Sequence, residues 1–217
     1  MRPVLQPVLR PVLQPVLRPV LRQALAAAAL LLPAVVQAQA AVSSYTERYA
    51  ALCAACHGAS GVSALANTPS LAGQPSFYAI TQLFLFRDGR RDSGPMTAIA
   101  KGMSDDDLRG FSEVIGKLPP AAALATTPPD AQRLARGGAL AQRLHCLGCH
   151  GSQGEGARQV PRLAGQREDY LLLALRGFRA GTRVGYQPAM TEAMAGVAAD
   201  DLDDLAHFLA HLPVPRP

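Results

Sequence analysis

The sequence has no tryptophan, only 5% aromatic and 17% charged residues, and only four cysteines among 217 residues. Long apolar runs are almost missing. The one candidate, Ala24 to Val36, is too short to span a bilayer comfortably, which excludes a multi-span membrane protein. No segment shows the period-two alternation of a half-buried strand, so a β architecture is excluded. Acidic residues are absent from the first 40 positions, which carry Arg2, Arg10, Arg18 and Arg22. The net charge of +5 is therefore a property of that stretch: without those four of the 21 basic residues, 17 stand against 16 acidic ones. With no basic stripe elsewhere, nucleic-acid binding is not expected. Pervasive disorder is excluded by the apolar residues that recur at helical spacing.

Residues 1–40 read as an export leader. Arg22 closes a positive region, Ala24 to Val36 is the apolar segment, and Ala38-Gln39-Ala40 is a small-x-small cleavage site that makes Ala41 the mature N-terminus. Pro3 to Arg22 is five copies of Pro-Val-Leu-Arg/Gln, and a proline at every fourth residue forbids a helix. Either a targeting extension or a repeat expansion with a misplaced start codon accounts for this run. An uncleaved leader would act as a membrane tether. Export implies an oxidising compartment.

What the chain does have is two copies of one motif that use all four cysteines: Cys53-Ala54-Ala55-Cys56-His57 and Cys146-Leu147-Gly148-Cys149-His150. Cys-x-x-Cys-His is the attachment pattern of a c-type haem. Two intervening residues let a single turn present both sulfurs to one porphyrin edge, where they add to the vinyl groups as thioethers. The following histidine then lies under the iron. A disulfide framework does not need the histidine. A zinc site would have to close a loop of about 90 residues instead of the usual 15–20, and no βαβ pattern suggests a redox dithiol. Two covalently bound haems c are expected, with His57 and His150 as axial ligands.

The flanks repeat with the motifs. Gly58 and Gly61 match Gly151 and Gly154; Pro69-Ser70-Leu71-Ala72-Gly73-Gln74 matches Pro161-Arg162-Leu163-Ala164-Gly165-Gln166; Tyr78 matches Tyr170. Only Met96 and Met190 recur among the five methionines, 40 or so residues after each histidine, and these are the expected sixth ligands rather than core filler. Two units follow, 41–120 and 131–217, joined by a Pro-, Ala- and Thr-rich linker at 121–130. Each reads as three main helices: Tyr45 to Leu52, Ser76 to Phe86 and one starting at Ser104; then Ala131 to Leu144, Glu168 to Phe178 and one starting near Asp200. The fold class is all-α. Units of this size cannot build a generous core, so poor folding without haem is expected. His207 and His211, at i and i+4 on the last helix, have metal-binding spacing, but a solvated helix end is the favoured reading.

Over 43–212 the sequence resembles the dihaem cytochrome c4 family, each half resembling a class I cytochrome c. The resemblance implies two haem domains related by a pseudo-twofold axis, in a periplasmic electron carrier that is soluble or loosely membrane-associated. Its redox partners would be a cytochrome bc1-type donor and a terminal oxidase or a dehydrogenase. By the same resemblance, Pro69 and Pro161 would offer their carbonyls to the proximal histidines, against the plainer reading of loop bends. Arg90, Arg91 and Arg183 would pair with haem propionates or else lie on an ordinary solvated surface. No side chain is asked to make or break a substrate bond, so the chain is expected not to be an enzyme. The alternatives are a dihaem peroxidase-type enzyme and the cytochrome subunit of a flavocytochrome or dehydrogenase complex.

Overall fold

The computed structural model describes residues 44–123, 127–183 and 188–214. The expected leader, residues 1–40, lies outside them. From Tyr45 onward the described residues belong to one compact unit. Its elements are all helical: α1 (44–52), α2 (Ala54–His57), α3 (Ser76–Arg87), α4 (Pro95–Ala100) and α5 (Asp105–Lys117) in the first half. The second half repeats the order with α6 (Ala131–Arg143), α7 (Cys146–His150), α8 (Glu168–Arg179), α9 (Pro188–Met194) and α10 (Asp201–Ala210). Among the described residues there is no strand, only an isolated bridge between Ala157 and Val160.

Local chemistry explains where the helices begin. Ser104 caps α5 reciprocally: its Oγ accepts from the Asp107 N–H at 3.1 Å, and Asp107 Oδ2 accepts from the Ser104 N–H at 2.9 Å. Asp130 caps α6 by accepting from the N–H groups of Gln132 and Arg133, both at 2.9 Å. Pro119 and Pro213 follow the closing helices of the two halves, where a further helical residue would need an N–H. The three main helices of each half lie within a residue or two of their expected places. The stretches carrying the repeated methionines are themselves short helices, α4 and α9, which periodicity over six or seven residues cannot reveal.

Each half has its own core. Leu83, Phe86, Leu108, Phe111 and Ile115 bring α3 and α5 together in the first. Leu140, Leu171, Leu175, Leu205 and Leu209 join α6, α8 and α10 in the second. In both, the opening helix crosses the closing one at a glycine, but on opposite partners. In the first half Gly110 of α5 admits the Tyr45 ring of α1, which also packs edge-on to Phe111 at 5.4 Å. In the second half Gly137 of α6 lies so close to α10 that a Cβ there would sit 2.2 Å from the Asp204 carbonyl oxygen.

The halves meet through hydrogen bonds as well as packing. The Asn67 N–H donates to Asp169 and Arg167 Nη1 donates to the Ser63 carbonyl, while in the connecting stretch the Ala123 N–H donates to the Gly165 carbonyl.

Candidate functional site

The opening helix of each half leads straight into the motif. The Cys53 N–H bonds the Tyr49 carbonyl at 2.8 Å, and the His57 N–H bonds the Cys53 carbonyl at 2.9 Å. Cys53 and Cys56 are therefore one turn apart on the same face. In the second half His145, in the left-handed region at φ 53°, breaks the chain between α6 and α7 before the same turn is made. Gly58 then reverses the chain at φ 81°; a Cβ there would lie 2.1 Å from the Val62 carbonyl oxygen. The Gly61 carbonyl accepts from Leu71 and Ala72, and the Gly154 carbonyl accepts from Leu163 and Ala164. These bonds return each Pro-x-Leu-Ala-Gly-Gln stretch to its motif.

The result is the same in both halves. His57 Nδ1 lies 2.8 Å from the Pro69 carbonyl oxygen, and His150 Nδ1 lies 2.9 Å from that of Pro161. A carbonyl can only accept, so Nδ1 carries the proton and Nε2 keeps its lone pair. The two histidines are buried, 5% and 6% exposed. Burial pulls both below the usual imidazole range, against the opposing pull of the proline carbonyls. None of the four cysteines is in a disulfide. Burial, with Cys56 nearby, pushes the Cys53 thiol up to about 11, and burial raises Cys146 as well. Among the described residues the only close cluster of three or more His, Cys, Asp or Glu ligands is Glu168, His207 and His211, which includes no cysteine. Two thiols on one turn followed by an imidazole with a free Nε2 fit a haem held by two thioethers and one axial nitrogen.

The methionines divide by burial. Met103 and Met194 are core residues, 8% and 1% exposed. Met96 on α4 and Met190 on α9 are only half-buried, at the edge of their halves.

Some expectations are corrected. His207 is not a solvated helix-end residue: it is fully buried, its Nδ1 is 3.0 Å from Glu168, and its Nε2 accepts the Asp130 N–H at 3.0 Å. With both ring nitrogens engaged, it ties the start of α6 to α8 and α10. His211 stacks on it and holds the His207 carbonyl through Nδ1. Helical spacing located the pair but not the face of α10 they occupy. Arg91 and Arg183 are neither simply solvated nor far apart: both donate to the Tyr170 hydroxyl, at 3.0 and 3.1 Å. Burial pushes that phenol up, but the two guanidiniums, Arg183 foremost, more than reverse it.

Sequence reasoning missed the polar seam between the halves. Arg162, 2% exposed, donates to the carbonyls of Ala164, Ala72 and Ala121, with no carboxylate partner and with Nε unpaired. Burial pulls its guanidinium down to about 10. Gln74 and Gln166 are each 4% exposed; Gln74 bonds the Arg162 main chain and Gln166 that of Ser70. Their recurrence in the repeat was the available signal.

Comparison with known proteins follows the two halves. The cytochrome c family matches residues 134–213, and the family described as cytochrome c oxidase, cbb3-type, subunit III matches 40–112. The chain is 36% identical over 155 residues to cytochrome c4 of Pseudomonas aeruginosa, covering 69% of this chain and 76% of that protein. It is 33% identical over 198 residues to a thiosulfate dehydrogenase electron acceptor of Stutzerimonas stutzeri, covering 85% and 92%. The fold is similar to the crystal structure of reduced recombinant cytochrome c4 from Pseudomonas stutzeri, with a TM-score of 0.71 at 27% identity over 79% of this chain and 98% of that one.

Proposed function

The chain belongs to the dihaem cytochrome c4 family, and from that premise we propose that it carries single electrons in the periplasm between a respiratory donor of the cytochrome bc1 type and a terminal oxidase or reductase. It is a dihaem c-type electron carrier with covalently bound haem c in each half. When bound, the iron supplies the one-electron couple; the chain supplies ligands, insulation and a docking surface. Cys53 and Cys56, and Cys146 and Cys149, hold the two groups. His57 and His150 would coordinate through Nε2, with Pro69 and Pro161 holding Nδ1–H and so fixing the ring and its basicity. Met96 and Met190 would supply the second ligand of each iron, and a His/Met ligand set would give relatively high potentials. The observation that carries this reading is the pair of buried histidines, each locked through Nδ1 with Nε2 free, directly after paired thiols.

A redox titration of the purified holoprotein tests it. Two haems per chain, two one-electron couples and the weak red charge-transfer band of iron–thioether ligation are expected. One haem, or rapid uptake of carbon monoxide by the reduced protein, would point instead to an open iron and an enzyme.

A second reading concerns the donor. Similarity to a thiosulfate dehydrogenase electron acceptor favours reduction by that kind of enzyme. Mixing the oxidised protein with such a dehydrogenase and thiosulfate should reduce both haems within seconds; no reduction would leave the respiratory donor.

A further inference from the structure

The proximal histidine of each half is connected to the other half through a single peptide group. The Pro69–Ser70 peptide accepts from His57 Nδ1 at its carbonyl, at 2.8 Å. Its N–H, that of Ser70, donates to Gln166 Oε1 at 2.8 Å, and Gln166 Nε2 donates to the Ser70 carbonyl at 2.8 Å. The arrangement is reciprocal. The Pro161–Arg162 peptide accepts from His150 Nδ1 at 2.9 Å, its N–H donates to Gln74 Oε1 at 3.1 Å, and Gln74 Nε2 donates to the Arg162 carbonyl at 2.9 Å. Ser70, Arg162 and both glutamines are buried, so water does not compete for these bonds.

A peptide group is conjugated. When its N–H is held by an acceptor, negative charge accumulates on its carbonyl oxygen, and serial hydrogen bonds strengthen one another at low dielectric. A more negative proline carbonyl draws harder on the imidazole Nδ1–H and makes Nε2 a stronger donor to a metal. We infer that Gln166 and Gln74 are crossed positioning residues, each tuning the redox potential of the iron in the opposite half through the peptide that holds its histidine. The sign follows: the bond favours the oxidised metal, so each glutamine lowers the potential of the iron across the seam. The inference rests on His57 and His150 being the axial ligands proposed above.

The test is a redox titration of holoprotein variants followed by NMR, in which haem methyl resonances identify each half. Gln166→Met, which keeps length and loses both polar atoms, should shift the couple of the first-half haem toward reduction by about threefold to tenfold, where tenfold is 59 mV for one electron. It should leave the second-half couple in place. Gln74→Met should do the reverse. The Nδ1–H resonance of the histidine across the seam should move with the potential. Should Gln166→Met fail to fold, Gln166→Asn withdraws the same amide by one methylene and tests the same bond. Variants that shift both couples together, the couple of their own half, or neither would overturn the inference. Failure of the ligand assignment itself would show earlier, as wild-type protein without two histidine-ligated couples.

Discussion

A histidine that serves a metal through Nε2 needs its other nitrogen held, and here a proline carbonyl does this in both halves at 2.8 and 2.9 Å. The thioethers proposed as second ligands, those of Met96 and Met190, should be as specific. Met96→Ala and Met190→Ala are each expected to remove about half of the iron–thioether absorption band and to lower one of the two potentials; redox titration with optical spectra reads both. The corresponding change at Met103 or Met194 should leave the band intact and cost stability instead, because these residues fill the cores. The sequence singled out Met96 and Met190 by recurrence alone, and the cysteines and histidines by spacing. His207 was misread because i, i+4 spacing near a C-terminus does not say which side of the helix faces Glu168. Asp107 is a charge with a defined role in a helix start. The Ser104 backbone N–H, helped by Arg48, holds its carboxyl at about 2. A carboxyl depressed on folding stabilises above its unfolded value near 4, and that contribution is lost as pH falls toward 2. Asp107→Asn should therefore flatten the acid limb of stability measured by denaturant titration between about pH 4 and pH 2.

At the scale of helices, the sequence located all six main elements: α5, α6, α8 and α10 carry an apolar stripe, a cap or a terminating proline, whereas α3 has no side-chain cap and little amphipathic pattern. The Ser104 cap should behave as caps do, Ser104→Ala costing about 1 kcal/mol. The crossing of opening and closing helices was not legible. In one half the small residue is on the closing helix, Gly110 under Tyr45; in the other it is on the opening helix, Gly137 under Asp204. Aligning the halves shows neither as a repeated position, since what recurs is the fit between partners and not the residue. Gly137→Ala would force a Cβ against backbone, and a cost of roughly 1–3 kcal/mol is expected from equilibrium unfolding. Gly110→Ala meets the Tyr45 ring instead, and Tyr45→Ala in the same chain should recover part of the loss by making room.

At the scale of the whole chain, two small cores flank a polar seam. Neither core is large for its half, so the haems should contribute much of the apolar contact. Protein made without haem, or with Cys53, Cys56, Cys146 and Cys149 replaced by alanine, is expected to lose most of its far-UV circular dichroism at 37 °C. The seam itself escaped the sequence for a physical reason: Gln74 and Gln166 were visible as repeated letters, but each is satisfied by the other half's main chain, a relation that no single-chain periodicity encodes. Arg162 is its most demanding member. A guanidinium buried among carbonyls without a counter-charge is held by those bonds alone. Arg162→Ala should destabilise the holoprotein by about 3 kcal/mol in denaturant titration by leaving the carbonyls unmet.

The crossed glutamines bear on the independence of the two repeats. A cut through the Pro- and Ala-rich connector would release two fragments, each with a naked main-chain amide beside its own motif histidine and an orphaned carboxamide that once served its sister. Two repeats that each supply the carboxamide for the other's peptide are expected to be stable together and poorly stable apart, which separate expression of 41–120 and 131–217 would read.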